Sequence, residues 1–419
     1  MSGDPTVAQE QKQLLVVKQP IFDRDKSVWG YRFVVNDVMA REGVEHDGSD
    51  VELVAEQVVS MSTCGTGCPI GKKFFLSITG ESPIDRSVLP ENLDNCIVTM
   101  SGKAVNDAQC SHLAEAIGDG GGSLAVDYDV EGDVLESLLE KCDIVKVSMA
   151  DKRPAEIVAL RKKFKGFQGK LLAANIDDWE TYEGARALGF KYFQGSFFGV
   201  PELKEAEGLQ STSVAKLQLL GELNNPDCGM EDLASIIASD ISLSYRILQY
   251  INSASFGFRT QIKSIQQAVA LLGLKELKHW ATVVVMTDID STPKGEEVAY
   301  TALHRARFLS RFTEMSNGVS QPSESMFMLG LFSKLDALLS FPMEKALENI
   351  PLDKEIMAGL CGAANEYRGL IRMMEAVEAG NCAVASKILK RYDVNCAAMA
   401  TEYMKAATWT SQQLSEMQN

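Results

Sequence analysis

The chain changes rhythm once, near Val200-Pro201-Glu202. Ahead of that point, short β-rich runs alternate with longer amphipathic segments: Leu14 to Val17, Val28 to Val35, Phe74 to Ile78, Cys96 to Met100, Leu124 to Val126, Ile144 to Val147 and Leu171 to Ala173. Strand-length runs separated by helical stretches predict β/α units. The first two runs are joined only by Asp23-Arg24-Asp25-Lys26, too short for a crossover helix, so they are predicted to pair as an antiparallel hairpin. A modified TIM-like β/α barrel accommodates that hairpin better than an open sheet.

Past the switch, β-type runs cease and an all-helical region is predicted. Leu233, Ile236 and Ile237, then Leu243, Ile247, Leu248 and Ile251, recur at spacings of three and four, with Asp240 placed to cap the second helix. Ser264-Ile265-Gln266-Gln267 has capping-box spacing ahead of Val269, Leu271 and Leu272, and Gly273 stands where that helix would stop. At 419 residues the chain exceeds a single ordinary core. The expected division is a barrel domain over 1–203, a helical domain over 204–395 and a C-terminal helical tail over 396–419.

The bulk chemistry excludes several function classes. Met1 to Gln13 is polar and lacks the basic-then-apolar order of a signal peptide, and no apolar run approaches the ~20 residues of a membrane span. A cytoplasmic protein without membrane insertion is expected. The formal charge of −16 argues against non-specific nucleic-acid binding. Arg161-Lys162-Lys163-Phe164-Lys165 is the best local basic run and reads as the solvated end of a surface helix. The segment from Ser264 to Val285 has helix-turn-helix spacing, but its second helix lacks clustered cations. The nine cysteines lack paired CxxC spacing; Cys64 and Cys68 flank Gly65-Thr66-Gly67, a loop pattern more than a metal site.

Three landmarks in order, Gln19-Pro20-Ile21-Phe22-Asp23, Gly30-Tyr31-Arg32-Phe33-Val34 and Phe193-Gln194-Gly195-Ser196-Phe197-Phe198 followed by Pro201, resemble the EAL family of cyclic di-GMP phosphodiesterases over roughly residues 14 to 203. The second half resembles the HDOD domain, a non-hydrolytic relative of the HD superfamily, through Asp240-Ile241-Ser242-Leu243-Ser244, Asn252-Ser253-Ala254-Ser255-Phe256 and Ala268-Val269-Ala270-Leu271-Leu272-Gly273. The stretch Met328 to Leu339 is similar to the distal segment of EAL-plus-HDOD tandem proteins.

The resemblance implies a barrel mouth holding two divalent ions, which requires a cluster of anionic oxygens at the strand ends. At the signature position the family's metal-binding glutamate is matched by Arg32, a permanent cation. Thr79 and Thr99 match an asparagine and a glutamate of the family, and its paired aspartates fall on Asp127 and Tyr128, with Asp129 displaced along the strand. Lys146 matches the catalytic-site lysine, but the aspartate two residues on is matched by Ser148. Ala174 matches another glutamate, with Asp177 after it. Asp127, Lys146 and Gln194 are what remains, and a buried Asp and Lys that simply pair would explain two of them.

In the helical half, no histidine stands in the His-Asp step of an HD metal site. His46-Asp47 lies in the other domain, and His279 and His304 read as packed or surface residues. The expectation is a non-catalytic regulatory scaffold without metal or cofactor, acting through unidentified signalling proteins in cyclic di-GMP or two-component pathways. The alternative is a metal-independent cyclic di-GMP receptor using Arg32, Asp127, Lys146 and Gln194.

Overall fold

A computed structural model of the protein describes residues 14–37, 71–78, 93–101, 114–128, 136–150, 152–202, 211–225, 227–252, 261–316, 319, 321–348 and 350–418. Eight strands close into a barrel in sequence order: β1 (Leu14–Phe22), β2 (Val28–Asp37), β3 (Lys73–Ile78), β4 (Cys96–Ser101), β5 (Ser123–Tyr128), β6 (Ile144–Ser148), β7 (Lys170–Ile176) and β8 (Tyr192–Gly195). The predicted hairpin is present, with β1 and β2 antiparallel from Leu14↔Asp37 to Phe22↔Val28. β1 also closes the barrel antiparallel to β8, while β2 through β8 pair in parallel. The seven runs read from the sequence correspond to β1 through β7. β8 is four residues long, too short to register as a period, and is visible in the sequence only through the family motif that contains it.

Strand alternation sorts the side chains into two sets. Val98, Val126, Val145, Ala173 and Phe193 face outward into the layer beneath the barrel helices, together with Ile157, Leu160, Phe164, Tyr182 and Ala185. Phe75, Ile97, Ala125, Ile144, Leu172 and Tyr192 fill the inside as an apolar floor. Trp29 stacks on Tyr192 with ring centroids 3.7 Å apart and closes that end. The basic run 161–165 sits at the end of the surface helix Pro154–Lys163, as its composition suggested.

From Ser211 onward the described residues contain helices and no strands. Asp240 caps Ile241–Ile251 by accepting from the Leu243 N–H at 2.9 Å. Ser264 caps Ile265–Leu272 by accepting from the Gln267 N–H, while Gln267 Oε1 accepts from Lys263 N–H, one residue earlier than a reciprocal box requires. The long helix Pro293–Met315 is the spine of this half. Ser323–Phe332 packs so close to it that a Cβ added at Gly330 would lie 2.3 Å from the Ala306 nitrogen. The Cys396–Gln418 helix, expected as a tail, packs on Pro293–Met315 and on β1. Tyr403 from this helix meets His304, whose Nε2 lies 3.0 Å from the Tyr403 carbonyl.

The two halves share β1. Leu15 and Val17 belong to the helical core, whereas Ile21 and Phe22 belong to the barrel. Lys18 is held between the rings of Tyr31 and Tyr300, 4.1 and 4.3 Å from their centroids. Tyr31 donates its hydroxyl to Glu297 Oε1 at 2.5 Å, and Lys334 donates to the Gly199 carbonyl at 2.9 Å. Behind this seam lies a bidentate ion pair, Arg305 Nε and Nη2 to the two oxygens of Glu378 at 2.7 and 2.5 Å, with Arg305 only 1% exposed. Burial alone would raise the Glu378 pKa, but the Arg305 guanidinium outweighs it and holds the carboxyl below its ordinary range.

Removing one partner of such a pair strands a buried charge. Glu378→Ala is expected to lower unfolding stability by about 3–5 kcal/mol, measured by urea denaturation at pH 7. Because the folded pKa of Glu378 is depressed, its contribution is present above the ordinary glutamate value and is lost as pH falls through the lower folded one. The difference between wild type and Glu378→Ala should therefore shrink toward pH 3.

Candidate functional site in the barrel mouth

The interior positions above the apolar floor are polar. Thr99 follows Ile97 by two residues, Asp127 follows Ala125, Lys146 follows Ile144 and Gln194 follows Tyr192, so alternation points all four inward. Arg32 lies between Tyr31 and Phe33, both of which belong to the outer cluster, and so faces inward as well. These residues sit toward the carboxyl ends of parallel strands, the end at which barrels of this kind place their sites.

The four site residues named from the sequence thus all point into the barrel interior. Asp127 and Lys146 are direct register partners, and Lys146 Nζ meets Asp127 Oδ1 at 2.9 Å. The lysine is 8% exposed and the aspartate 42%, so the pair is buried on one side and opens to solvent on the other. Burial lowers the Lys146 pKa most, Asp127 raises it, and the Arg32 charge lowers it again. Arg32 is likewise lowered by burial and supported by Asp127. Two cations therefore share one carboxylate.

Several polar atoms here lack protein partners among the described residues. Arg32 Nε, Thr99 Oγ1 and Gln194 Oε1 are buried without a hydrogen bond. Gln194, 2% exposed, spends its other end on Gln19, donating from Nε2 to Gln19 Oε1 at 2.7 Å. Gln19 had stood out in the sequence only as the first residue of a strand motif. Its role depends on a partner 359 residues away, the Glu378 carbonyl, which accepts from Gln19 Nε2 at 2.9 Å. No local signal could have found that contact.

At the rim, Ala174 is buried and inward while Asn175 takes a left-handed turn, φ 55°, and donates to Ser148 Oγ at 2.9 Å. Asparagine tolerates that conformation better than most residues. The turn shifts register between Ala173 and Ile176 and leaves Asp177 to accept from Ser196 Oγ at 2.7 Å, away from the Lys146 pair. Gly195 fits this crowded edge because a Cβ there would lie 2.0 Å from the Ile176 carbonyl oxygen. Thr79, Asp129, Cys64, Cys68, His46 and His112 lie outside the described residues.

Two cavities, of about 530 and 360 Å³, open in the helical half beside His279 and Glu324, away from the barrel chemistry. His279 stacks on Phe327, and burial lowers its pKa, so it is a neutral imidazole at pH 7. The barrel mouth is the better-founded site because its inward polar groups include a half-buried ion pair and buried atoms without partners among the described residues.

Comparison with known proteins matches the helical half to one family model, described as the HDOD domain, over residues 209–350. Residues 209–350 form an HDOD domain. Ahead of it stands the closed eight-stranded barrel with its antiparallel first hairpin, so the chain joins a β/α barrel to an HDOD domain. The chain is 27% identical to uncharacterized protein YuxH of Bacillus subtilis (strain 168), covering 95% of this chain and 98% of that one. It is 26% identical to cyclic di-GMP phosphodiesterase CdgJ of Vibrio cholerae, covering 87% of this chain and 84% of the relative. A standalone EAL protein from Vibrio cholerae O395, solved in its cyclic di-GMP-bound form, aligns at TM-score 0.37 and 17% identity over 44% of this chain and 90% of that one. The cyclic di-GMP-bound FimX EAL domain from Pseudomonas aeruginosa aligns at TM-score 0.35 and 13% identity, over 44% and 89%.

Asp127→Asn would leave Lys146 and Arg32 facing each other without a carboxylate. The expected loss is about 1–2 kcal/mol at pH 7, discounted because Asp127 is 42% exposed. The folded pKa of Lys146 is depressed below its ordinary value near 10.5, so the penalty belongs to the charged lysine and declines as pH rises. Urea denaturation at pH 7 and pH 9.5 should show a smaller deficit at the higher pH, and Asp127→Asn combined with Lys146→Met should recover most of it.

Proposed function

We propose that this chain is a non-hydrolysing regulatory module of cyclic di-GMP signalling, with an EAL-like barrel over 1–203, an HDOD unit over 204–395 and a closing helix over 396–419. The observation that carries the reading is the Lys146–Asp127 ion pair beside Arg32. Two divalent ions require several uncommitted anionic oxygens. Here the described interior offers one carboxylate, already engaged by an ammonium and supporting a guanidinium. Ala174, Thr99 and Ser148 add no negative charge, and among the described residues no group of three or more His, Cys, Asp or Glu is placed to hold a metal ion. This donor set does not fit a two-metal centre.

The module would act through protein contacts, with signalling proteins as partners. The docking of the two halves through β1 supports transmission between them, because a displacement in the barrel would be felt in the helical core.

A second reading has its own support: the interior carries two cations to one anion, together with buried atoms short of partners. That balance suits an anionic phosphodiester, with the guanidinium taking charge that metals would otherwise carry. In this reading the barrel is a metal-independent receptor for cyclic di-GMP, and the sequence relationship to CdgJ supports that choice of ligand.

Calorimetric titration with cyclic di-GMP, in chelator and then in Mg²⁺ or Ca²⁺, tests both readings alongside chromatography for hydrolysis product. No product is expected after prolonged incubation in either metal. Saturable heat in chelator would support the receptor. Absence of heat under all conditions would leave the protein-contact scaffold, and turnover of the dinucleotide would overturn both.

A further inference from the structure

The Gln19 side-chain amide spans the seam between the halves with both ends engaged: Nε2 donates to the Glu378 carbonyl at 2.9 Å, and Oε1 accepts from Gln194 Nε2 at 2.7 Å. A glutamine amide can turn over and exchange its two ends at little steric cost, so its orientation is ordinarily set by its neighbours. Here one neighbour allows no choice. A main-chain carbonyl oxygen only accepts, so Gln19 must present Nε2 to Glu378 and its oxygen to Gln194. Gln194 must then answer with Nε2, which leaves its Oε1 as the group offered elsewhere. That oxygen is buried and has no donor among the described residues. The Glu378 carbonyl is itself fixed, because the same residue's carboxylate is clamped by Arg305 in the helical core.

We infer that the helical domain sets the hydrogen-bonding polarity of the barrel mouth through Gln19, so that Gln194 Oε1 selects ligands carrying an N–H or O–H donor, such as the amide edge of a purine base. Gln19 is a positioning residue and Gln194 a specificity residue. The ligand half of this inference rests on the receptor reading above; the polarity half does not. A ligand whose donor reaches Gln194 Oε1 gains a hydrogen bond that the protein leaves unmade. One that presents only an acceptor there can be accommodated only if both amides turn and the contact with the helical domain is given up. Ligand choice in the barrel and docking of the HDOD domain are therefore coupled.

Two substitutions at Gln19 separate polarity from simple structural support. Gln19→Glu still accepts from Gln194 Nε2 and keeps the polarity, but loses the bond to the Glu378 carbonyl. Gln19→Lys keeps a donor for that carbonyl but offers Gln194 no acceptor, so Gln194 turns its oxygen toward the ammonium. Added charge by itself would favour an anionic ligand in the lysine variant and oppose it in the glutamate variant. In full-length protein titrated with cyclic di-GMP, Gln19→Glu is expected within about threefold of wild type and Gln19→Lys weaker by about tenfold or more. The reverse order would overturn the inference.

If wild type binds no cyclic di-GMP, the receptor reading fails and the polarity is tested by thermal unfolding of Gln194→Glu. With Gln19 fixed, the new carboxylate faces an oxygen and is tolerated best when protonated. Arg32 and Lys146, the cations of the interior, would pull its pKa down, and Asp127 is partly spent on Lys146. Burial at this nearly inaccessible site raises that pKa whatever Gln19 does, so the variant is compared with Gln194→Glu in a Gln19→Leu background: a smaller pH-dependent deficit without the facing oxygen reports Gln19, and an undiminished one would overturn the inference. The melting temperature should fall by roughly 2–4 °C relative to wild type at pH 8, with the deficit closing toward pH 5. A deficit that does not change with pH, or none at all, would mean that Gln19 turns freely and would overturn the inference.

Discussion

The bidentate contact between Arg305 and Glu378 is the constraint on which the arrangement of the two halves depends. A guanidinium 1% exposed needs its charge answered and its donors filled, and Glu378 does both, with Ser333 taking a further bond from Nη1. Satisfying the arginine fixes the last turn of the Glu366–Glu378 helix. That turn in turn offers its main-chain oxygen to β1. Lys334, buried beside the pair, has its pKa pushed down to about 8 by burial and by Arg305, and it donates to the segment that follows β8. The seam is thus assembled from the inside of the HDOD domain outward. Two of its polar bonds, from Gln19 to the Glu378 carbonyl and from Lys334 to the Gly199 carbonyl, involve groups at or beside the ion pair.

In the barrel interior, shape and charge are set by different residues. The floor of Phe75, Ile97, Leu172 and Tyr192 and the alternation above it are what any such barrel needs. The chemistry resides in single positions on that frame. With a guanidinium at position 32, a single carboxylate is shared by two positive groups. The ion pair between Asp127 and Lys146 is then required for tolerance of burial, whatever else those residues do.

Much of the fold was legible in the sequence because it is written in local periodicities. Short β-rich runs between longer amphipathic segments marked the strands, spacings of three and four marked the helices, and the four-residue Asp23 to Lys26 connection dictated the antiparallel hairpin. The inward set Arg32, Asp127, Lys146 and Gln194 was legible through the family motifs that contain them, and in the structure strand parity points each of them inward. β8 escaped because four residues show no period. Gln19, Tyr31 and Glu297 escaped for a different reason: each is an ordinary polar or aromatic residue whose function is created by a partner hundreds of positions away. Arg305 left a faint mark, a charge set among Ala302, Leu303, Ala306, Phe308 and Leu309, but the identity of its counter-ion is a tertiary fact.

The strand β1 has a consequence for how the chain can be taken apart. Its first residues complete the helical core, its middle forms the polar seam and its end closes the barrel against β8. A cut placed in the sequence near the change of rhythm would not separate two finished bodies. The amino-terminal fragment would carry Leu15 and Val17 as an uncovered apolar strip, and the carboxyl-terminal fragment would lose a wall of its core. The two halves are therefore expected to fold as one unit, and a fragment of either would be prone to associate through the strip that the intact chain conceals.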